Sequence, residues 1–154
     1  MVETEMEKES PNILLGKLSR LHLRRSYTRF MTIGVTQGQP RILRYLKFHK
    51  GCIQRELSDN CFLEPATVTN ILAKMEYGGL VKRRFPPGNR RSLQVFLTRK
   101  GEECFSRVEK MSLLLEDECF KGFTPAEKEQ AICFIERICN NMEKAEEISR
   151  DDSL

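Results

Sequence analysis

The residues that could do chemistry in this sequence lie between Leu63 and Leu97: Ala66, Thr67, Thr69, Asn70, Ala73, Lys74 and Tyr77, then Lys82, Arg83 and Arg84, then Asn89, Arg90 and Arg91. At these spacings they build neither an activated nucleophile nor an acid–base pair. They offer small, hydrogen-bonding side chains of the kind that fit base edges in a major groove, where Asn can pair bidentately with adenine and a Thr methyl can meet thymine. The arginines suit phosphates. Candidate nucleic-acid contacts are therefore Ala66, Thr67, Thr69, Asn70 and Lys74 for reading, with Gln54, Arg55, Arg84, Asn89, Arg90 and Arg91 for the backbone or the adjacent minor groove.

Such a face needs a helix to present it. Val68, Ile71, Leu72 and Met75 fall three, one and three residues apart, one face of a helix, and the polar set lies opposite. Pro65 suits the first turn, and Gly78-Gly79 offer the positive φ that ends helices. Leu80-Val81 then enter a strand, and the alternation Leu93, Val95, Leu97 returns beyond the basic turn "PPGNRR". Upstream, Ile53 and Leu57 mark a short helix, Asp59-Asn60 break it, and Phe62-Leu63 are expected to pack inward. A helix pair feeding a hairpin with a basic tip is a winged helix-turn-helix: a mainly α fold with a small β-hairpin. In that geometry the second helix enters the major groove and the first crosses the backbone, which is why Gln54 and Arg55 join the phosphate set.

"ATVTNILAKMEYGGLVKRRFPPGNRRSLQVFLTRKG" resembles the multiple antibiotic resistance regulator (MarR) family of bacterial and archaeal transcription factors. The shared features are a helix start at Thr67-Val68-Thr69, a helix stop from Met75-Glu76 through Gly79-Leu80-Val81, a wing at Asn89-Arg90-Arg91, and Leu97-Thr98 with Gly101. The resemblance runs from roughly Val35 to Gly101. It implies a homodimer that binds a pseudo-palindromic double-stranded DNA operator, as a repressor released by a small effector. One position departs: the family's wing acid is Asn89 here, so the resemblance carries over Arg91 but not an Asp–Arg ion pair. It further implies a small aromatic or anionic effector held between the dimerising helices and the winged domain. His22, Arg25, Arg29, Arg41 and Tyr45 are the polar groups for such a cleft, with ordinary surface and packing roles as the alternative.

The flanks read as helices. Residues 1 to 10 are polar and read as a frayed end. Leu14, Leu18 and Leu21 recur at helical spacing from Ile13 to about Phe30, and Gly34 ends that helix. Thr36 and Gln39 form a T-x-x-Q capping box for a helix over Gly38 to about His49, buried through Ile42, Leu43 and Leu46. After Thr98, the residues Cys104, Val108, Met111, Leu115 and Cys119 form one seam. Thr124, Pro125 and Glu127 start another helix, whose Ala131, Ile135, Ile138, Met142 and Ala145 repeat as a heptad stripe. That stripe is too apolar to leave exposed, so a second subunit should cover it. The division expected is 1–35 and 101–154 for dimerisation, with 36–100 as the winged helix-turn-helix.

Charge divides the same way. Of the net +4, residues 41–100 carry +9 and residues 101–154 carry −7, a footprint for a polyanion confined to the middle of the chain. Nothing approaches the run of about 18 apolar residues that a membrane span needs, and "MVETEMEKES" lacks the character of a signal peptide, so a cytoplasmic location is expected. With two histidines and no catalytic spacing, enzymatic activity is not expected. Nor is a metal or cofactor, since the six cysteines are dispersed.

Two other functions remain open from the residues. One is a winged protein-interaction module without sequence-specific DNA binding, which the groove-sized outward face argues against. The other is a thiol-based redox sensor. Some members of the resembled family sense peroxide through a cysteine near the N-terminus, and here no cysteine precedes Cys52. Cys104, Cys119, Cys133 and Cys139 lie on or beside apolar stripes, where burial makes thiols inert, and Cys52, after Lys50-Gly51, is the best remaining candidate. No redox switch is expected.

Overall fold

The computed structural model describes residues 9–151, and the stretch read as a frayed end lies, through residue 8, outside them. The described residues form two compact units, divided between Leu115 and Glu116.

The first unit begins with α1 (Pro11–Met31), capped by the Ser10 hydroxyl, which accepts from the Ile13 N–H. No residue of α1 is buried, and its leucines, Leu18 for example at 54% exposure, lie open. Helix α2 (Gln39–Phe48) follows. Only half of the expected capping box forms: the Thr36 N–H donates to Gln39 Oε1 at 3.0 Å, while Gly38 takes the cap position without a side-chain bond. Ile42, Leu43 and Leu46 are fully buried, as their spacing requires.

The helix-turn-helix comes next. Strand β1 (Cys52–Ile53) leads into α3 (Gln54–Cys61), a turn, and α4 (Pro65–Tyr77). Two sequence expectations fail here. Asp59 and Asn60 do not break the helix: they lie inside α3, where the Asn60 amide bonds back to the Glu56 carbonyl at 2.8 Å. The stop is Phe62 instead, in the left-handed region at φ 52°, with Leu63 N–H on Ser58 O at 3.2 Å and Ser58 Oγ on Leu63 O at 2.6 Å closing the turn. Phe62 therefore cannot pack inward; it is 72% exposed, and only Leu63 leans on the core.

After α4 the chain makes β2 (Val81–Arg84) and β3 (Gln94–Leu97), paired antiparallel with Val81 opposite Leu97 and Arg84 opposite Gln94. The sheet has three strands, ordered β1-β3-β2. The hairpin was legible in the sequence, but the two-residue β1 was not. Between α4 and β2, Gly79 alone takes the positive φ, at 73°, while Gly78 stays right-handed.

Helix α5 (Arg99–Cys119) begins where the wing ends. Thr98 caps it, accepting from the Gly101 N–H at 3.1 Å. The same hydroxyl donates to Gly79 O at 2.5 Å, the Thr98 N–H donates to Leu80 O at 3.0 Å, and Lys100 Nζ reaches Gly78 O at 2.7 Å. A Cβ on Gly101 would stand 2.1 Å from the Leu80 oxygen. Cys104, Phe105 and Val108 join the core of Ile42, Leu43, Leu46, Leu57, Leu72 and Met75, each Leu-sized side chain contributing about 1.5–3 kcal/mol.

In the second unit, α6 (Pro125–Asp151) opens on the expected capping box, with Thr124 N–H on Glu127 Oε2 at 2.8 Å and Glu127 N–H on Thr124 Oγ1 at 3.3 Å. The α6 stripe is uncovered, and Met142 is 64% exposed. Cys119, Cys133 and Cys139 are exposed as well, contrary to the expected burial, as are Ile135, Ile138 and Met142 of the α6 stripe.

Gly101→Ala should destabilise the protein by about 3 kcal/mol, the upper end for overpacking, since a backbone carbonyl cannot rotate away as a side chain can. Gly16→Ala, in α1 with nothing within 4 Å, should stabilise by about 0.5–1 kcal/mol. Urea unfolding at matched protein concentration measures both.

Candidate nucleic-acid interface

Helix α4 buries Val68, Ile71, Leu72 and Met75 and exposes Ala66, Thr67, Thr69, Asn70, Ala73, Lys74 and Tyr77. Period and face agree with the sequence residue by residue. The helix is anchored at both ends. Pro65 fills its first turn, and its last turn is held through Glu76, which accepts from Arg83 of β2 at both Nε (2.9 Å) and Nη2. The Arg83 bond, first among the causes, holds the Glu76 carboxyl below its usual range, and Glu76 in turn raises Arg83. Arg83 is thereby committed to the fold and leaves the basic turn to its neighbours.

Those neighbours are exposed. Arg84 stacks its guanidinium 4.2 Å from the centroid of the Phe96 ring, on the adjoining strand. At the tip, Asn89 Oδ1 accepts from the Arg91 backbone N–H at 2.8 Å, and the Asn89 N–H donates to Pro86 O at 3.1 Å. The wing amide thus does orient the arginine two residues on, but through the backbone and with no ion pair. An Asn supplies that acceptor as well as an Asp would. Arg90 and Arg91 are exposed beside it.

At the first helix, Ile53 N–H donates to Glu56 Oε2 at 2.7 Å, starting α3. Arg55 is exposed and lies 3.9 Å from Asp59. Gln54 does something that spacing could not foretell: its Nε2 donates to Thr69 Oγ1.

The cleft residues separate. A cavity of about 210 Å³ is lined by His22, Leu23, Ser26, Tyr27, Phe30, Val35, Thr36, Gln37, Gly38, Pro40 and Arg41. It takes His22 and Arg41 from the expected set but not Arg25, Arg29 or Tyr45. Tyr45 stacks on His49 instead, centroids 4.1 Å apart, and burial raises its pKa. Tyr27 and Phe30 are lining residues that sequence reasoning missed, because aromatics on a helix read as packing. Arg41 also donates from Nη1 to Cys61 O at 3.3 Å, tying α2 to the end of α3.

Cys52 is no thiolate. It is buried, and burial first, with Glu56 behind it, pushes its thiol up to about 12. Lys50 does not offset this. Cys61 is also buried and raised. Among the described residues, no group of three or more His, Cys, Asp or Glu could hold a metal, and no helix is long and apolar enough to cross a membrane.

Comparison with known proteins follows the same outline. The sequence profile described as "MarR family" matches residues 33–92. The chain is similar to the HTH-type transcriptional repressor IacR of Pseudomonas putida, 28% identical over 88 residues, 57% of this chain and 53% of that one; the match thus spans about half the length of that relative. Among solved structures it resembles a MarR transcriptional regulator from Methanosarcina mazei Go1, with TM-score 0.78, 25% identity, and 90% of this chain and 99% of that one covered. A likeness of fold alone links it to Bordetella bronchiseptica BpsR, whose DNA binding is regulated by 6-hydroxynicotinic acid: TM-score 0.75, 19% identity, coverage 85% and 94%.

The Glu76–Arg83 pair gives a signed pH expectation. A carboxyl held low in the folded state contributes stability that is present above the ordinary carboxylate range and lost as pH falls through its folded value. With Glu76 and Arg83 side chains 39% and 26% exposed, solvent screening keeps the pair to roughly 0.5–1 kcal/mol. Glu76→Gln should be less stable than wild type at pH 7, and the difference should shrink as acidification carries the pH down through the ordinary carboxylate range and past the lowered value of Glu76. Thermal melts across that range read it. In native protein, Cys52 and Cys61 should resist alkylation at pH 8 and react fully once denatured, as mass spectrometry of labelled peptides would show.

Proposed function

From the match of residues 33–92 to the MarR family and the likeness of fold to a MarR regulator, we propose that this chain is a member of that family, a homodimeric transcription regulator that binds a pseudo-palindromic double-stranded operator and represses from it, acting in the cytoplasm. The observation that carries this reading is the face of α4. Seven exposed side chains there are small, polar or basic apart from Tyr77, opposite a fully buried apolar face, with the exposed Arg84, Arg90 and Arg91 of the wing beyond. Thr67, Thr69, Asn70 and Lys74 read base edges in the major groove, and Arg90 and Arg91 take phosphates or the adjacent minor groove. The kinship with a named repressor supports the sign of regulation.

Residues 36–100 are the reading unit, and 1–35 with 101–154 dimerise. The exposed leucines of α1 and the open stripe of α6 support this, since apolar area of that extent calls for cover. Two reading heads would then meet half-sites about 34 Å apart. The cavity at His22 and Arg41 takes the effector. Its aromatic walls and two basic groups suit a small aromatic carboxylate, the class that regulates the structurally similar BpsR.

On duplexes selected from a random library, Asn70→Ala should relax the preference at one base pair by about 1–3 kcal/mol. Arg91→Ala should weaken binding to every sequence and lower the salt slope by about one. Wild-type behaviour in both variants would refute the reading head. Sedimentation should give a dimer at micromolar concentration, and a stable monomer there would refute the assembly. A nicotinate-type acid should raise the melting temperature and weaken operator binding, less so in His22→Ala.

A further inference from the structure

Gln54 and Thr69 stand 15 residues apart, one opening α3 and the other on the exposed face of α4. Gln54 Nε2 donates to Thr69 Oγ1 at 2.5 Å, and Thr69 Oγ1 donates to Pro65 O at 2.9 Å. A threonine hydroxyl has one proton and two acceptor sites. Here the proton is committed to Pro65 and one acceptor site to Gln54, so a single acceptor site and the methyl group remain. Turning the proton outward would break the bond to Pro65.

Resting on the reading of α4 as the base-reading helix, we infer that Gln54 is a positioning residue. By fixing the Thr69 hydroxyl it makes Thr69 an acceptor-only reader, which selects a base presenting an exocyclic amine, adenine N6 or cytosine N4, over one presenting only oxygen or nitrogen acceptors there. Gln54 then acts through Thr69 and not on a phosphate. A free threonine would donate or accept with equal ease and discriminate little. The pair also couples the two helices of the motif, so a change at the start of α3 is felt at the base that Thr69 meets.

The experiment selects duplexes from a library randomised over its central stretch, then compares wild type, Gln54→Ala, Thr69→Val, the double variant and Thr69→Ser on the selected sequence and its single-base-pair variants. Gln54→Ala and Thr69→Val should each lose about tenfold of discrimination at the same base pair, the magnitude of one good base contact. The double variant should lose no more than either single one, since both remove the same contact. Thr69→Ser, which keeps the hydroxyl, should keep the preference, and the salt slope should stay at the wild-type value in Gln54→Ala. If Gln54→Ala instead weakens all duplexes equally, lowers the salt slope by about one and adds to Thr69→Val, Gln54 is a phosphate contact and the inference falls. It falls equally if Gln54→Ala leaves the preference unchanged. A wild-type protein that enriches no sequence would overturn the base-reading assignment itself, a different failure visible before any variant is made. Unfolding midpoints matching wild type establish that each loss is one of recognition.

Discussion

The absence of a side chain at Gly101 sets the geometry of the reading head. The first turn of α5 lies so close to the corner between α4 and β2 that the Leu80 carbonyl occupies the space a Cβ would need. Thr98 and Lys100 use that proximity, donating to the Gly78, Gly79 and Leu80 carbonyls of the turn that follows α4, so one incoming helix start holds the whole turn. The Arg83–Glu76 pair reinforces it from the other side of the corner, and both are short-range, directional bonds in a region where the apolar core alone would permit sliding.

With the corner fixed, the outward face of α4 is free to serve recognition. Its inner residues are fully determined by packing: Val68, Leu72 and Met75 have no measurable exposure. Of its outer residues, Thr69 is held from α3 by Gln54. Charge follows the same separation. Much of the basic charge of residues 41–100 is tied down within the fold: Arg44 and Lys47 pair with Glu109 and Glu102 of α5, Arg83 with Glu76, and Arg99 with Glu103. Among the described residues, the exposed Arg84, Arg90 and Arg91 of the wing stand apart from these ion pairs.

How much of this was legible in the sequence depended on range. The α4 face, the wing strands and the Thr124–Glu127 box were readable because each is decided within four residues or by strict alternation. The frequent helix breakers Asp59 and Asn60 misled, because Asn60 can bond back to Glu56, and Phe62 supplied the stop against its own propensity. Strand β1 was invisible, since two residues become a strand only when β3 lies beside them. The sequence marked Gly101 and Thr69 by type, and only the tertiary structure assigns their work: one accommodates a carbonyl 21 positions back, the other a glutamine 15 positions back. The cleft residues were half legible, as charged groups stand out in a sequence and aromatic walls do not.

Phe62 has a different kind of consequence. An L-residue held left-handed gives up about 1–2 kcal/mol that glycine would not, and this one recovers little by packing, exposed as its ring is. The corner is therefore a place where the fold constrains the backbone and gains little from the ring it carries. A glycine or asparagine at position 62 would suit that backbone better and reshape the surface beside α4 without disturbing the core beneath it.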